Sequence, residues 1–555
     1  MRFFDQIIAF AVLQLAIAYP EKRQVPAEPN GVITISSPDG ATIRYKQPGK
    51  DGVCETTPGV NSYSGYISLN ETTNMFFWFF EARENAATAP LTLWLNGGPG
   101  SDSLIGLFQE LGPCNVTANL TSELNPFSWS NVSNMLFLSQ PIGVGFSYAT
   151  EELVDFNSTT GRYTNATDDP ADANGRISST DPYRYDTTYL SAIGTWGILQ
   201  GFLANLDTLD NTVQNKTFNL WTESYGGHYG PAFYEYFSEQ NNMIENGTAN
   251  GTCLYMDTLG IGNGIIDELI QAPYYPEFTQ YNTYGIQLVN ESIYNFMKVA
   301  YYIEGGCRDQ VLECAAVDLS TAAGKAVCAA ATNFCRGFVE EPYYEYGSRG
   351  VYDIRHPYDD PTPPTYFIDY LNTAAVQNAL GVNLNYTADS SSQVGRGFSS
   401  TGDFVYRSLI QDLENLLNAG VRVALYYGDA DYICNWLGGE ALSLQINYTH
   451  ATEFRAADYA PYIVDGQEYG EVRQYGNFSF LRMYESGHEV PFYQPAASLE
   501  FFRRVLGNLV VADGSEALTA NYSSPGIASA THTEPFVPLP SSTSGGSSTA
   551  TAAGR

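Results

Sequence analysis

Five short apolar runs, set between helical stretches, constrain this chain more than any other feature. Leu91–Leu95, Met135–Ser139, Phe218–Thr222, Leu254–Leu259 and Val421–Tyr427 are almost wholly apolar and end at Gly, Asn or acidic signals. A strand that is apolar on both faces belongs inside a sheet covered on both sides, which is the parallel sheet of an α/β protein. Tyr185–Leu206, Pro231–Glu239, Asp403–Asn418 and Pro495–Leu506 carry helical patterns between and after those runs. The alternation predicts a doubly wound, mostly parallel sheet with its sites at the strand C-termini. From about residue 267 to 401 the rhythm breaks into Tyr/Pro-rich and Cys-rich sequence, expected as an insertion over the sheet.

The 555 residues carry 60 acidic and only 26 basic side chains, a formal net charge of −34. Hydrophobic residues make up 44% and aromatic residues 14%, so the chain has ample material for a core and is not of the disordered class. A surface this negative repels phosphate backbones and anionic lipids, which excludes nucleic acid as a partner. It suits a protein working in acid, where part of the charge is titrated away.

The N-terminus reads as a secretory leader. Arg2 precedes an apolar run from Ile7 to Ala18 that closes with Ala16-Ile17-Ala18, so residues 1–18 are expected as a signal peptide. The run is too short to span a bilayer, and no later stretch qualifies. Lys22-Arg23 reads either as a dibasic processing site, making 19–23 a short pro-segment, or as two exposed charges at a frayed end. Residues 24–510 would then form the catalytic domain. From about 511 to 555 the composition shifts to Ser, Thr, Gly, Pro and Ala, expected as a disordered tail. Asn-x-Ser/Thr sequons stand at Asn70, Asn115, Asn119, Asn131, Asn157, Asn165, Asn215, Asn246, Asn250, Asn290, Asn385, Asn447, Asn477 and Asn521. Leader and sequons together predict a secreted, extracellular glycoprotein, with the vacuole as the other destination of the same route.

In an oxidising compartment the eight cysteines are expected to pair. Cys307, Cys314, Cys328 and Cys335 crowd one short segment whose spacing suits nested bridges, Cys307–Cys335 outside Cys314–Cys328, stapling a helical hairpin. Zinc ligation is the competing use of such a cluster, but no His lies near it, so neither metal nor cofactor is expected. Cys54 is expected to pair with Cys114, which leaves Cys253 and Cys434 over, expected as buried thiols.

Chemistry is expected first at Ser224. An apolar strand runs into Glu223-Ser224-Tyr225-Gly226-Gly227, and a helix follows near Pro231. Such a turn lifts a Ser hydroxyl above the sheet, and small neighbours let it close. The competing reading is a plain helix cap. A nucleophile here needs an acid and then a His later in the chain. Of five His, His228 and His356 are misplaced, His532 lies in the tail and His450 sits within a sequon. His488 follows the strand-like Phe478–Tyr484 and precedes the last helix, where the base belongs. The orienting acid should follow Val421–Tyr427, where either Asp429 or Asp431 qualifies. An oxyanion hole needs the N–H of Tyr225 and one from an early Gly-rich loop, supplied by Asn96-Gly97-Gly98-Pro99-Gly100. A phosphate loop is the alternative there, but no Lys-Ser/Thr follows.

Six motifs in order, WLNGGPG, LFQELGP, PIGVGFSY, ESYGGHYGP, GDADYICN and SGHEVP, resemble those of the serine carboxypeptidase family over roughly residues 50–510. The fungal secreted members are most similar. The resemblance implies an α/β-hydrolase fold with Ser224 as nucleophile, His488 as general base and Asp431 as orienting acid. It implies Gly98 and Tyr225 as the oxyanion hole. It also implies that Asn96, Gly97, Glu110 and Glu223 bind a substrate's terminal carboxylate, and that Cys434 and Glu489 face its last side chain. Two carboxyls accept a third only as protonated donors, so binding should strengthen in acid. An acid at Glu489 should favour C-terminal Lys or Arg. Ser101 and Asp102 depart from the Cys-Ser common in the family, so one customary bridge is missing and a negative charge is added. The expected function is release of C-terminal amino acids from peptides. Acyl transfer or ester hydrolysis on the same constellation, and a non-catalytic glycoprotein of the same fold, are the alternatives.

Overall fold

The computed structural model describes residues 25–37, 40–157, 162–166, 173–387, 390–406 and 409–540. The expected signal peptide and pro-segment lie outside these residues, as do positions 541–555 and the side chain of Asn165. In chain order the strands are β1 (Ile33–Ser36), β2 (Thr42–Lys46), β3 (Ser62–Asn70), β4 (Thr73–Phe80) and β5 (Leu91–Leu95). The short β6 (Cys114–Val116) and β7 (Ser122–Leu124) follow, then β8 (Asn134–Leu138), β9 (Thr150–Asn157), β10 (Arg162–Asn165) and β11 (Gly175–Ser179). The remainder are β12 (Thr217–Glu223), β13 (Tyr255–Gly262), β14 (Arg422–Gly428), β15 (Tyr459–Val464), β16 (Gln467–Tyr475) and β17 (Phe478–Met483).

Twelve of them form one sheet in the order β1-β2-β3-β4-β8-β5-β12-β13-β14-β17-β16-β15. The six central strands, β8 through β17, are parallel, and five coincide closely with the apolar runs of the sequence. The sheet is less parallel than expected, because both flanks are antiparallel. The connections explain this: only Glu71 and Thr72 separate β3 from β4, too few for a crossover.

Both faces are covered. Along β4, Phe77 and Phe79 join one buried cluster while Phe76, Trp78 and Phe80 join the other, as the two-residue strand period requires. The long helices α1 (Thr188–Leu209) and α2 (Gly226–Glu245) cover the first face. The helix Pro495–Leu506 covers the second, with Phe502 stacked on Trp129 at 4.2 Å and edge-on to Trp221 at 4.9 Å. Burying each such Phe is worth roughly 1.5–3 kcal/mol. Helix α2 starts at Gly226, ahead of the expected Pro231, so the proline lies inside it and forgoes one helical hydrogen bond.

Between β13 and β14 the chain leaves the sheet and builds helices from Glu268 to Asn418. The expected nested bridges are there: Cys307–Cys335 and Cys314–Cys328 join the helices Cys307–Ala315 and Ala322–Cys335. Cys54–Cys114 closes a third. Cys434 is a buried free thiol, and Cys253 is half-buried.

Two sequence expectations need correction. Residues 511–540 are not a loose tail. They bridge to the sheet at Tyr475 and Tyr459, and they run on until Glu534 N–H donates to Thr283 O. His532 stacks on Tyr484 at 3.7 Å. Main-chain groups make most of these contacts, so no apolar periodicity marks them. Nor can Asn385 or Asn477 be an accessible glycan acceptor. Asn385 is 3% exposed, and both hydrogens of the Asn477 amide are taken by the carbonyls of Leu417 and Val421. The asparagines at 70, 115, 119, 157, 246, 250, 290, 447 and 521 are exposed. Asn131 and Asn215 are half-buried.

Candidate active site

Ser224 follows β12 directly and sits at φ +64°, a conformation that costs a residue with a side chain. Its N–H donates to Gly262 O (3.0 Å), and its carbonyl accepts from Gly227 and Ile265 N–H (2.9 and 3.0 Å). The two following glycines have no space to spare. A Cβ on Gly227 would fall 2.4 Å from Ile265 O, and one on Gly226 would fall 2.5 Å from the Thr222 side chain. Thr222 earns its place by donating from its hydroxyl to Gly226 O at 2.8 Å. The turn therefore holds Ser224 by sterics on both sides.

Asp431 follows β14 and His488 follows β17, and the two meet with Nδ1 and Oδ2 2.7 Å apart. The choice left open between Asp429 and Asp431 closes here: Asp429 accepts instead from Tyr284 Oη at 2.8 Å. Asp431 Oδ2 also accepts from Asn263 Nδ2 (2.7 Å), and Oδ1 from Ile433 N–H (3.1 Å). Asn263, after β13, was not picked out in the sequence, although its left-handed φ of +42° and its place at a strand end mark it in retrospect. Burial disfavours the His488 cation, but the Asp431 carboxylate and Cys434 outweigh it and hold the imidazole well above its ordinary range. Burial pushes the Cys434 thiol up to about 11, so it is neutral near neutral pH and the Asp431 charge carries the effect. Tyr352 supports His488 from the insertion. Its carbonyl accepts His488 N–H at 2.8 Å, and its ring lies 5.0 Å from the imidazole.

The loop after β5 closes over Ser224. Gly98 has φ +108°, and a Cβ on Gly97 would fall 2.3 Å from the amide nitrogen of Tyr225. Glycine alone brings the Gly98 and Tyr225 amides together beside Ser224. The Tyr225 side chain turns away and donates to Asp403 Oδ2 at 2.6 Å.

Asn96 organises the acids. Its Oδ1 accepts from Trp94 Nε1 (2.8 Å) and Gly106 N–H (2.9 Å), which leaves Nδ2 aimed at Glu110 Oε1 (3.3 Å) and Glu223 Oε1 (3.2 Å). Glu110 ends a π-helical turn, Gly106–Glu110, that a regular helix pattern does not reveal. Both carboxyls are buried and hydrogen-bonded to each other, so burial and mutual repulsion hold Glu223 well above the ordinary range. Burial raises Glu110 as well, against the hydrogen bonds from Glu223 and Asn96. Burial pushes Glu489 up to about 7, and its Oε2 has no hydrogen-bond partner. Asp102, buried and raised to about 6, accepts from Ser139 Oγ at 2.8 Å and has its own hydrogen-bonded surroundings.

A cavity of about 740 Å³ joins these groups: Asn96, Gly97, Gly98, Glu223, Ser224, His488 and Glu489 all line it. Ile433 stands on its wall, and Cys434 is buried behind, its sulfur grouped with Asp431 and His488. The proline-rich 361–364 segment covers one side, held by Gln109 Nε2 donating to Pro363 O and Pro364 O at 3.1 Å each.

A serine on a strand-to-helix turn, an acid after β14 and a histidine after β17, on one doubly wound sheet, define an α/β-hydrolase. The serine carboxypeptidase family model matches residues 48–508, and the chain belongs to that family of serine-type hydrolases. It is 40% identical to carboxypeptidase S1 homolog A of Arthroderma otae, over 94% of this chain and 86% of that one. It is 38% identical to carboxypeptidase S1 of Penicillium janthinellum (82% and 97%), and 32% identical to a vacuolar serine-type carboxypeptidase of Saccharomyces cerevisiae (92% and 93%). Among solved structures, the Saccharomyces cerevisiae prohormone-processing carboxypeptidase Kex1 shares the fold with a TM-score of 0.62 and 22% identity, covering 84% of this chain and 96% of that one. No helix among the described residues is long and apolar enough to cross a membrane.

Proposed function

We propose that the protein is a secreted, acid-active exopeptidase that removes single C-terminal residues from peptides through an acyl-enzyme on Ser224. Ser224 Oγ attacks the last peptide carbonyl while His488 Nε2 takes its proton, and Asp431 holds the Nδ1–H and stabilises the imidazolium. The N–H groups of Gly98 and Tyr225 stabilise the tetrahedral oxyanion. His488 then gives its proton to the departing amine, the C–N bond breaks and the free amino acid leaves. Water, activated by the same histidine, hydrolyses the ester and restores Ser224.

The observation that carries this reading is Asn96 holding Glu110 and Glu223 together one residue from the nucleophile. An ester hydrolase has no use for two buried acids there. Protonated, they donate to a substrate carboxylate alongside Asn96 Nδ2 and Gly97 N–H. Glu489, whose Oε2 has no hydrogen-bond partner, lines the cavity beside Ser224 and favours a departing Lys or Arg once it is ionised, above about pH 7. Exposed sequons and paired cysteines support passage through the secretory route to the cell exterior, and the vacuole is the alternative destination. The test is amino-acid release from blocked dipeptides ending in Lys, Leu or Glu between about pH 4 and 8, with Ser224→Ala alongside. Acid-favoured release that vanishes in the variant is the expected result. Absence of release, with Ser224 still labelled by an organofluorophosphate, would replace this reading with acyl transfer.

A further inference from the structure

Three buried arginines each spend a guanidinium hydrogen on a main-chain carbonyl of the C-terminal segment. Arg473 Nη2 donates to Ala528 O (3.0 Å), Arg482 Nη2 to His532 O (2.8 Å) and Arg349 Nη2 to Val537 O (2.7 Å). They are 5%, 1% and 6% exposed. Arg473 and Arg482 stand on β16 and β17, whereas Arg349 belongs to the insertion. Residues 526–538 therefore run from the sheet edge, across the back of the last strands, onto the helices that roof the active site.

The far end of this strap reaches the catalytic histidine in three steps. Arg349 also donates from Nη1 to Ile354 O (3.0 Å), closing a hairpin in which Arg349 bridges Pro357. That hairpin is seated on the acid loop: Tyr432 and Ile433 N–H donate to Val351 O (3.2 and 3.1 Å), and Ile354 N–H donates to Ala430 O (2.9 Å). Its tip presents the Tyr352 carbonyl to His488 N–H. Phe536 lies under the Arg349 guanidinium at 5.7 Å, a second grip on the same side chain.

We propose that residues 526–538 are a positioning element of the catalytic site, acting through Arg349 to fix the hairpin that orients His488. The proposal rests on His488 being the general base. Without the strap, Arg349 and Arg482 each keep a buried donor without an acceptor, and such a group either draws in water or shifts the backbone around it. A displacement of His488 costs turnover, because the base must meet the Ser224 proton in a narrow range of geometries. It does not cost substrate binding, which depends on Asn96, Glu110 and Glu223 on the other side of the nucleophile.

The experiment compares three chains: full length, ending at Pro540, and ending at Pro525. Turnover of a blocked dipeptide should be the same for the first two. In the third, kcat should fall roughly ten- to hundredfold while KM stays within about twofold, because geometry is lost and recognition is not. A synthetic peptide of residues 526–540, added in trans, should restore kcat. A chain ending at Pro525 with unaltered kcat, or a loss that the peptide does not repair, overturns the proposal. Should that chain fail to accumulate folded, Arg349→Met in the full-length protein reads the same link, and an unaltered kcat there is equally fatal. His488→Ala separates the two readings. If that variant turns over normally, the assignment of the base has failed and the strap proposal falls with it. If it is dead while the shortened chains are fully active, the strap proposal alone has failed.

Discussion

The amide nitrogen of Tyr225 occupies the space that a side chain on Gly97 would need, 2.3 Å from the ideal Cβ position. The loop after β5 and the turn after β12 therefore touch backbone to backbone, and the proposed oxyanion site depends on that contact. Gly97→Ala should part the two and lower kcat by about 10²–10³, the usual cost of a lost oxyanion donor. Steady-state kinetics beside a melting curve would separate this from unfolding. A kcat near wild type would mean that the loop yields without losing the hole.

Two sets of groups should set the pH dependence, with opposite signs. His488 must be neutral to accept a proton, so turnover rises as pH rises through its elevated pKa, and any acid preference must come from recognition of the substrate carboxylate rather than from turnover. Glu110 and Glu223 donate to a substrate carboxylate only when protonated, so recognition weakens as pH rises through theirs. A free dipeptide should give a bell-shaped kcat/KM profile, and the matching dipeptide amide only the rising limb. Glu110→Gln together with Glu223→Gln should flatten the falling limb. Identical profiles for acid and amide would refute the role of the carboxyl pair.

Glu489 should be read in substrate preference. Above about pH 7, where Glu489 is ionised, Glu489→Gln should lower the kcat/KM ratio of C-terminal Lys to C-terminal Leu by about tenfold, the scale of a partly solvated charge pair in a cleft. Competition between the two dipeptides in one reaction measures the ratio directly. An unmoved ratio would place the leaving residue's side chain elsewhere.

Glu268 predicts how stability varies with pH. It is 1% exposed and neither carboxyl oxygen has a partner. Burial, and then Glu340, push it up to about 8, against the opposing charge of Arg336. Because the folded pKa is raised, the native state binds this proton more tightly than the unfolded chain. The stabilisation is complete below about pH 4 and is lost as pH climbs toward 8, a loss of roughly 3 kcal/mol at neutrality for this one group. Glu268→Gln should raise Tm at about pH 8 by a few degrees and leave it unmoved at about pH 4. Equal melting of variant and parent at both values would remove Glu268 from the acid preference.

The central strands were legible because burial on both faces writes itself as a continuous apolar run, as in Leu91–Leu95. The flanks were not. Nor was a separate three-stranded sheet: its middle strand β9 is TEELVDFN, too polar to read as a strand, and it is held by antiparallel pairing to β10 and β11. In the site, the spacing of Ser224, an acid and His488 could be reasoned out, but Asp429 and Asp431 separate only by which one Asn263 and His488 reach. Glu110 was visible through its motif and not through its helix, since a π-turn shifts it out of the usual register. The strap was missed for a different reason. Arginine–carbonyl contacts need no particular side chains on the strap, so nothing in its composition announces them.

Ser224, Asp431 and His488 stand at the ends of β12, β14 and β17, and the last of these can pair with β14 only after the whole insertion has been made. A ribosome must release nearly the entire chain before serine and histidine share a cavity. Until then Ser224 has no histidine beside it, so any chemistry that needs the pair can begin only when the chain is nearly complete.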